Sequence, residues 1–376
     1  MAGYRLLLFE NRRARRRERV FRDRLNPFDE YDNVDMYKRY RFTRLGCQHI
    51  IDLLQDELQP DTLRNHSIPP SLQVFIALRF YARGKVIDSS GDKHNVSIPT
   101  TSRVIRRVTL ALCRRVNDYV KFPTTPQAVA TAQQDFMNIA GFPRILGAVD
   151  CTHVELHGCP WGPDEYIFVN RKNRHSINVQ LICNAHYKIT NVVARWPGST
   201  HDSRILRRSR IGMSFENGDI QQGILLGDSG YTLRPWMMTP ILNPANAPEE
   251  AYNRAHCNTR VRIEQVNGQL KNKFRCLLGD GLQIQPDRAC DFIIASCVLY
   301  NSSKDLREPH LDANNDVDVE PEPNAIGDVI ELMELWPGCR SSMTIFADCT
   351  FSVSYAMFAV CRLFKTFVLI GFFHEL

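Results

Sequence analysis

The apolar residues of this chain change their period partway along it, and that change limits the folds open to it. In the first part they recur at helical spacing. Ile50, Leu53, Leu54 and Leu58 precede Pro60, and Leu72, Phe75, Ile76, Leu78, Phe80 and Tyr81 follow Pro69 and Pro70. From Leu146 the period falls to two. Leu146, Ala148, Asp150, Thr152, Val154 and Leu156 share one face of a first strand, and Ile177, Val179, Leu181 and Cys183 share one face of a second. A polar turn from Ala185 to Lys188 leads to a third strand, Ile189 to Trp196, in an antiparallel meander. Ile224, Leu225 and Leu226 form a short, continuously apolar run ending in Gly227-Asp228, which suits a strand buried on both faces. Helices follow. The pattern predicts a mixed α/β chain: an arm and connector over 1–40, a helical domain over 41–122, a linker over 123–145, a strand-rich core over 146–302, and an acidic segment with an apolar tail over 303–376.

Charge is unevenly placed. The net balance is only +6, yet Arg12, Arg13, Arg15, Arg16, Arg17 and Arg19 crowd one short run, while the segment after Asp305 is acidic. Such a basic run cannot bury a core. It serves as a solvated arm, as a handle for phosphate or as a nuclear-import signal, which makes the nucleus, and beside it the cytoplasm, the expected location. The twelve cysteines show no CxxC pair and no repeating spacing, as expected of buried thiols in a reduced compartment. The stretch Ser354 to Phe373 is long and apolar enough to suggest a membrane span, but Arg362 and Lys365 interrupt it, so a span is not expected.

One helix of the first part carries cations on its outer face. Ser97 suits an N-cap and Pro99 a first turn. Val104, Ile105, Val108, Ala111, Leu112 and Val116 make an apolar stripe, opposite Arg103, Arg106, Arg107, Arg114 and Arg115. A short helix, a turn and then a cationic helix is the layout of a helix-turn-helix. On that reading Thr100 and Thr101 reach base edges, and Arg103, Arg106 and Arg107 reach phosphates. The ordinary explanation is a helical bundle with a solvated basic face.

The strand-rich part poses a sharper question. Asp150 stands inside an apolar strand, where a carboxylate is costly unless it is paired, hydrogen-bonded or bound to a cation. Asp228 repeats the puzzle at a strand end, although beside Gly227 and Gly230 it could be a turn residue. Glu264 lies at the edge of a helical stripe made by Ile263, Val266, Leu270, Phe274 and Leu277, and alone it would pass for a surface glutamate. Two strand aspartates and one helix glutamate can converge on a pair of divalent ions that activate water and neutralise charge on a phosphodiester. Hard carboxylate oxygens suit Mg²⁺ or Mn²⁺ better than zinc. Arg260 and Lys271 share the Glu264 face, and Arg171, Lys172 and Arg174 form a cationic loop; these either hold phosphate or screen the carboxylates. A rival zinc cluster of Cys151, His153, His157 and Cys159 is the less favoured alternative. Strand alternation sets the first two opposite Asp150, and the spacing matches no standard finger.

Several blocks in order carry a resemblance. They run from Gly147-Ala148-Val149-Asp150-Cys151-Thr152-His153 through Val169-Asn170-Arg171-Lys172 and Trp196-Pro197-Gly198-Ser199-Thr200-His201-Asp202-Ser203 to Gly227-Asp228-Ser229-Gly230-Tyr231 and Ile263-Glu264. With these the chain resembles the PIF/Harbinger transposases and the HARBI-type nucleases derived from them, over roughly residues 25 to 302. The resemblance implies an RNase H-like DDE core behind a helical domain, a divalent metal, and cleavage of DNA. It places the catalytic and metal-binding triad at Asp150, Asp228 and Glu264, with 35 residues between the last two, and adds Asp202 as a further candidate ligand. It also implies a Myb/SANT-like partner protein and permits a homo-oligomer. A domesticated relative that binds DNA without cutting is the alternative. Where relatives commonly carry Leu-His-Asn, this chain has Leu299-Tyr300-Asn301.

Overall fold

The computed structural model describes residues 24–60, 67–84, 96–157, 162–221, 223–278 and 282–309. The basic run at 12–19, Cys159, and the acidic and apolar stretches beyond residue 309 lie outside the described residues. Two compact units emerge: the described residues within Met1–Phe80 and Lys85–Val108, and those within Tyr81–Gly84 and Thr109–Leu376.

The first unit is helical. Side-chain oxygens cap its elements in sequence: Asn26 before α1 (Pro27–Glu30), Asp32 before α2 (Asn33–Tyr40) and Thr43 before α3 (Arg44–Leu58). The Asp32 carboxylate accepts from the Asp35 N–H at 2.7 Å, which satisfies one of the orphan donors of a first turn. Residues 27–30 and 33–40, expected to form an arm and connector, are therefore helical, and Met36, Tyr37 and Tyr40 are buried. Gln73, on α4 (Pro70–Arg83), donates to the Leu58 and Ile68 carbonyls at 2.9 and 2.8 Å, so a buried amide closes the end of α3. Tyr40 and Phe28 both meet the Phe75 ring, at 4.9 and 5.0 Å between centroids. Of the expected stripe, Val104, Ile105, Val108, Ala111 and Leu112 are buried in α5 (Ile98–Arg114), while Val116 lies beyond that helix and is part-buried. The segment before α5, needed for a helix-turn-helix, falls largely outside the described residues. The division between the units falls inside α4 and α5, short of the expected boundary at 122.

The second unit is built on a five-stranded mixed sheet of order β3-β2-β1-β4-β5. β1 (Ile145–Glu155), β2 (Ser176–Cys183) and β3 (Ile189–Pro197) form the expected antiparallel meander, with Asp150 opposite Leu181. β4 (Ile224–Leu226) lies parallel to β1, pairing Ala148 with Leu226. The chain reaches it by a crossover through α8 (Asp202–Arg207) and α9 (Arg210–Glu216). The two-residue β5 (Met237–Met238), too short to leave a pattern, completes the sheet parallel to β4.

Both faces of this sheet are covered, as a parallel centre requires. Val149, Ile182 and Leu225 pack with Leu206, Ile211 and Phe215 of α8 and α9. On the other face Ile224 and Leu226 pack with Phe136 and Ala140 of α7 (Pro126–Ala140) and with Ala255 of α10 (Ala247–Lys273). Residues 123–145, read above as a linker, thus contain a core helix. Its buried residues are Ala132, Phe136 and Ala140, with Val129 and Ile139 packed beside them, and three glutamines with Thr131, Asp135 and Asn138 interrupt the apolar residues. The short α6 (Val116–Tyr119) precedes it, and α11 (Pro286–Asp305) follows α10. Among the described residues no helix is long and apolar enough to cross a membrane.

Candidate active site

Strand register brings the two aspartates level. Ala148 on β1 pairs with Leu226 on β4, and Asp150 and Asp228 each lie two residues further along parallel neighbours. Adjacent strands run about 4.8 Å apart, and alternation returns both side chains to the face that Leu226 shares with α10. Asp228 sits just past the end of its strand, where its carboxylate also accepts from the Gly230 N–H at 3.0 Å and shapes the turn.

Helix α10 lays a polar stripe across this end of the sheet. An Asn246 cap and Glu249 in the first turn fix its start, and Ile263, Val266 and Leu270 bury its apolar side. His256, Arg260, Glu264, Asn267 and Lys271 follow one another at three- and four-residue steps along it. Asn267 donates to Asp150 Oδ2 at 2.9 Å. Arg260 sets Nη1 3.8 Å from Asp150 Oδ1 and binds Glu264 with its other terminal nitrogen. The guanidinium therefore bridges the strand aspartate and the helix glutamate. Among the described residues no group of three or more His, Cys, Asp and Glu side chains gathers closely enough to hold a metal ion as it stands. The physical reason is visible at Glu264, which is half-exposed and turned to Arg260 on its own helix.

The electrostatics nonetheless mark Asp150 as costly to ionise where it stands. The Asp150 carboxyl is pushed up to about 6, chiefly by burial; Arg260 opposes the shift, and the carboxylates of Asp228 and Asp202 add to it. Asp202, at the start of α8, accepts from Asn178 Nδ2 at 2.9 Å. It bears on Asp150 and also on Cys151, whose thiol burial raises well above its usual range. Near Asp228, burial holds the His256 imidazole down at about 4, with Arg260 adding to the effect. Phe142 and Tyr252 flank that ring.

The remaining candidates divide. Lys271 is partly buried and donates to the His153 carbonyl at 2.7 Å, which uses one of its three donors. Arg171 and Lys172 are exposed in a loop folded by Asn170, whose side-chain oxygen accepts from the Lys172 and Arg174 N–H groups. Thr100, Thr101, Arg103, Arg106 and Arg107 belong to the first unit. Arg103 and Arg107 are exposed, but Thr101 is fully buried and cannot present its hydroxyl to a base. Cys151 and His153 bind Tyr231 and Ser176, at 3.3 and 3.0 Å, rather than converging on a zinc site.

Residues 149–301, which contain Asp150, Asp202, Asp228 and Glu264, match the family described as DDE superfamily endonuclease. The chain is 35% identical over 306 residues to "Putative nuclease HARBI1" of Mus musculus, covering 80% of this chain and 85% of that protein. It is 35% identical over 283 residues to the Homo sapiens protein of that name, covering 74% and 80%. It is 24% identical over 256 residues to "Protein ALP1-like" of Arabidopsis thaliana, covering 64% and 62%. The chain belongs to the Harbinger-derived HARBI1 family. No solved structure matches it.

Membership in the HARBI1 family implies an RNase H-like fold, and the strand order and parallel centre agree with that. The Tyr300 hydroxyl donates to Gln269 Oε1 at 2.9 Å inside the core, while Asn301 holds both the N–H and the carbonyl of Ile189. The sequence reading passed over Asn267, His256 and Asn178. The first two stand at helical steps from Glu264, a signal that could have found them.

Proposed function

We propose that this HARBI1-family chain is a metal-dependent nuclease that cuts DNA phosphodiester bonds with Asp150, Asp228 and Glu264. The observation that carries the reading is the register that sets Asp150 and Asp228 level on parallel neighbours, beneath the polar stripe of α10 that includes Glu264. The residues fit a divalent cation by their chemistry. All donors are hard carboxylate oxygens, and the largely buried Asp150, beside two further aspartates, keeps a raised carboxyl although Arg260 and Lys271 bear on it. Asp150, Asp228 and Glu264 would hold Mg²⁺ or Mn²⁺, with Asp202 as an additional oxygen donor, and the bound ion supplies water activation and charge neutralisation. Asn267 fixes the Asp150 carboxylate by holding one oxygen and leaving the other toward the site. Arg260 and a metal are alternative partners for the same oxygens, so cutting requires Arg260 to release Glu264.

The Arg260 bridge is also what favours a second reading, a DNA-binding relative that no longer cuts, in which the carboxylates are neutralised permanently from within. The test is cleavage of duplex DNA by the purified chain with Mn²⁺, against Asp150→Asn, Asp228→Asn and Glu264→Gln. Loss of cutting by at least about a hundredfold in each variant supports the nuclease. Equal products from the parent and all three variants would leave the non-cutting reading in place.

A further inference from the structure

An arginine surface lies beside the candidate site and takes no part in it. Arg195 on β3, Arg204 and Arg207 on α8, Arg208 after it and Arg210 at the start of α9 are all exposed. Two of them meet at one indole. The guanidinium carbons of Arg195 and Arg204 stand 5.6 and 5.9 Å from the Trp196 ring centroid, and Arg195 Nη2 donates to the Arg208 carbonyl at 3.1 Å. Among the described residues none of the five forms an ion pair with an acidic side chain. Arg204 and Arg208 are also four residues apart, a spacing at which like charges on a helix destabilise it. The α8 dipole favours cations in its last turn and Trp196 receives two guanidinium groups, but neither supplies an anion to pair with these charges; an external polyanion does.

The placement says which polyanion. The segment begins at Asp202, whose carboxylate bears on Asp150, and the arginines extend outward from that point. At about 1.5 Å of rise per residue, Asp202 to Arg208 spans on the order of 9 Å. Along one strand of a duplex phosphates recur about every 3.4 Å of axis, so the surface is long enough for two or three. Guanidinium forks match phosphate oxygens in a bidentate way that a point charge does not. Resting on the nuclease reading, we infer that Arg204, Arg207 and Arg208, with Arg195 beside Trp196, bind the nucleic-acid backbone flanking the bond to be cut.

The experiment measures DNA affinity against salt by fluorescence anisotropy of a labelled duplex. It uses the full chain carrying Asp150→Asn, so that the probe stays intact. Adding Arg204→Gln, Arg207→Gln and Arg208→Gln should lower the slope of log affinity against log salt by about 2 to 3 and weaken binding at least tenfold at moderate salt. The corresponding triple lysine variant, which keeps the charges, should retain most of the slope and shows that loss of charge rather than of packing is responsible. An unchanged slope in the glutamine variant overturns the inference, including the case in which the surface serves an acidic protein. The nuclease reading is judged separately. Arginine-dependent binding by a parent chain that does not cut with Mn²⁺ would leave this surface standing and remove the enzyme, and cutting with an unmoved slope would do the reverse.

Discussion

At Asp150 function and stability pull apart. Its carboxyl is raised from 3.8 to about 6, so between those values the folded chain binds more protons than the unfolded chain. Its contribution therefore falls as pH rises through that window and is at its least favourable above pH 6. At about 1.4 kcal/mol per unit, the ionised group costs the metal-free protein up to about 3 kcal/mol. Asp150→Asn should accordingly stabilise the chain in EDTA at pH 7 by up to that amount, with the gain gone by about pH 4, as read by denaturant melts. A destabilised variant at pH 7 would mean that Asp150 is held by partners stronger than Arg260 and Asn267. Arg260 makes the complementary case. Removing the guanidinium while keeping bulk, as in Arg260→Gln, should tighten Mn²⁺ binding about tenfold in a direct titration and lower the melting temperature in EDTA, because metal and arginine are alternatives at the same oxygens. Weaker Mn²⁺ binding would make Arg260 a support of the metal site instead of its competitor.

Among the elements, α10 carries most of the site, and its hidden member is His256. Burial holds that imidazole at about 4 instead of 6.5, so the unfolded chain binds the extra proton between those values and stability is lost as pH falls through them. The full cost, reached near pH 4, is again about 3 kcal/mol. Asp150 acts in the opposite sense over nearly the same range, so the parent chain should show little net slope from these two groups between pH 4 and 6. His256→Phe should then grow more stable on acidification, and Asp150→Asn less stable; parallel pH profiles for both would refute the pairing. Much of this element was legible in the sequence. Its apolar stripe and Glu264 were, because burial leaves a period. Asn267 and His256 were marked only by their helical spacing from Glu264, since a polar residue on a helix otherwise reads the same whether it faces water or a carboxylate. α7 did leave a period, in Val129, Ala132, Phe136 and Ile139, that its polar neighbours and the flanking prolines and glycine obscured, whereas β5 at two residues is too short to leave one.

At the scale of the molecule the meander, the crossover to a parallel β4 and the closing α10 and α11 were foreseeable in outline, since the change of period at Leu146 and the ordered blocks around Asp150, Asp202, Asp228 and Glu264 point to one core. What the sequence could not supply was depth. Thr101 looked like a residue able to read bases because it opens a cationic helix, and only the fold reveals that it is buried. Lys271 looked like a phosphate ligand and is bound to the His153 carbonyl. The Arg260 bridge likewise depends on side-chain directions that spacing alone leaves open. A whole-chain consequence follows for the WPGS loop. A Cβ at Gly198 would meet the Phe168 carbonyl oxygen at 2.6 Å, so Gly198→Ala should displace the loop that delivers Asp202 and lower stability by about 1 to 3 kcal/mol, measured by chemical denaturation. Unchanged stability would show that the loop can shift freely.

The account stands most directly on where a divalent ion goes. Crystals of the full chain soaked in millimolar Mn²⁺ and measured for anomalous scattering should show a peak between Asp150 and Asp228, with Glu264 released from Arg260. A structure at the same Mn²⁺ concentration with no peak at those aspartates, and with Arg260 still joined to Asp150 and Glu264, would contradict it.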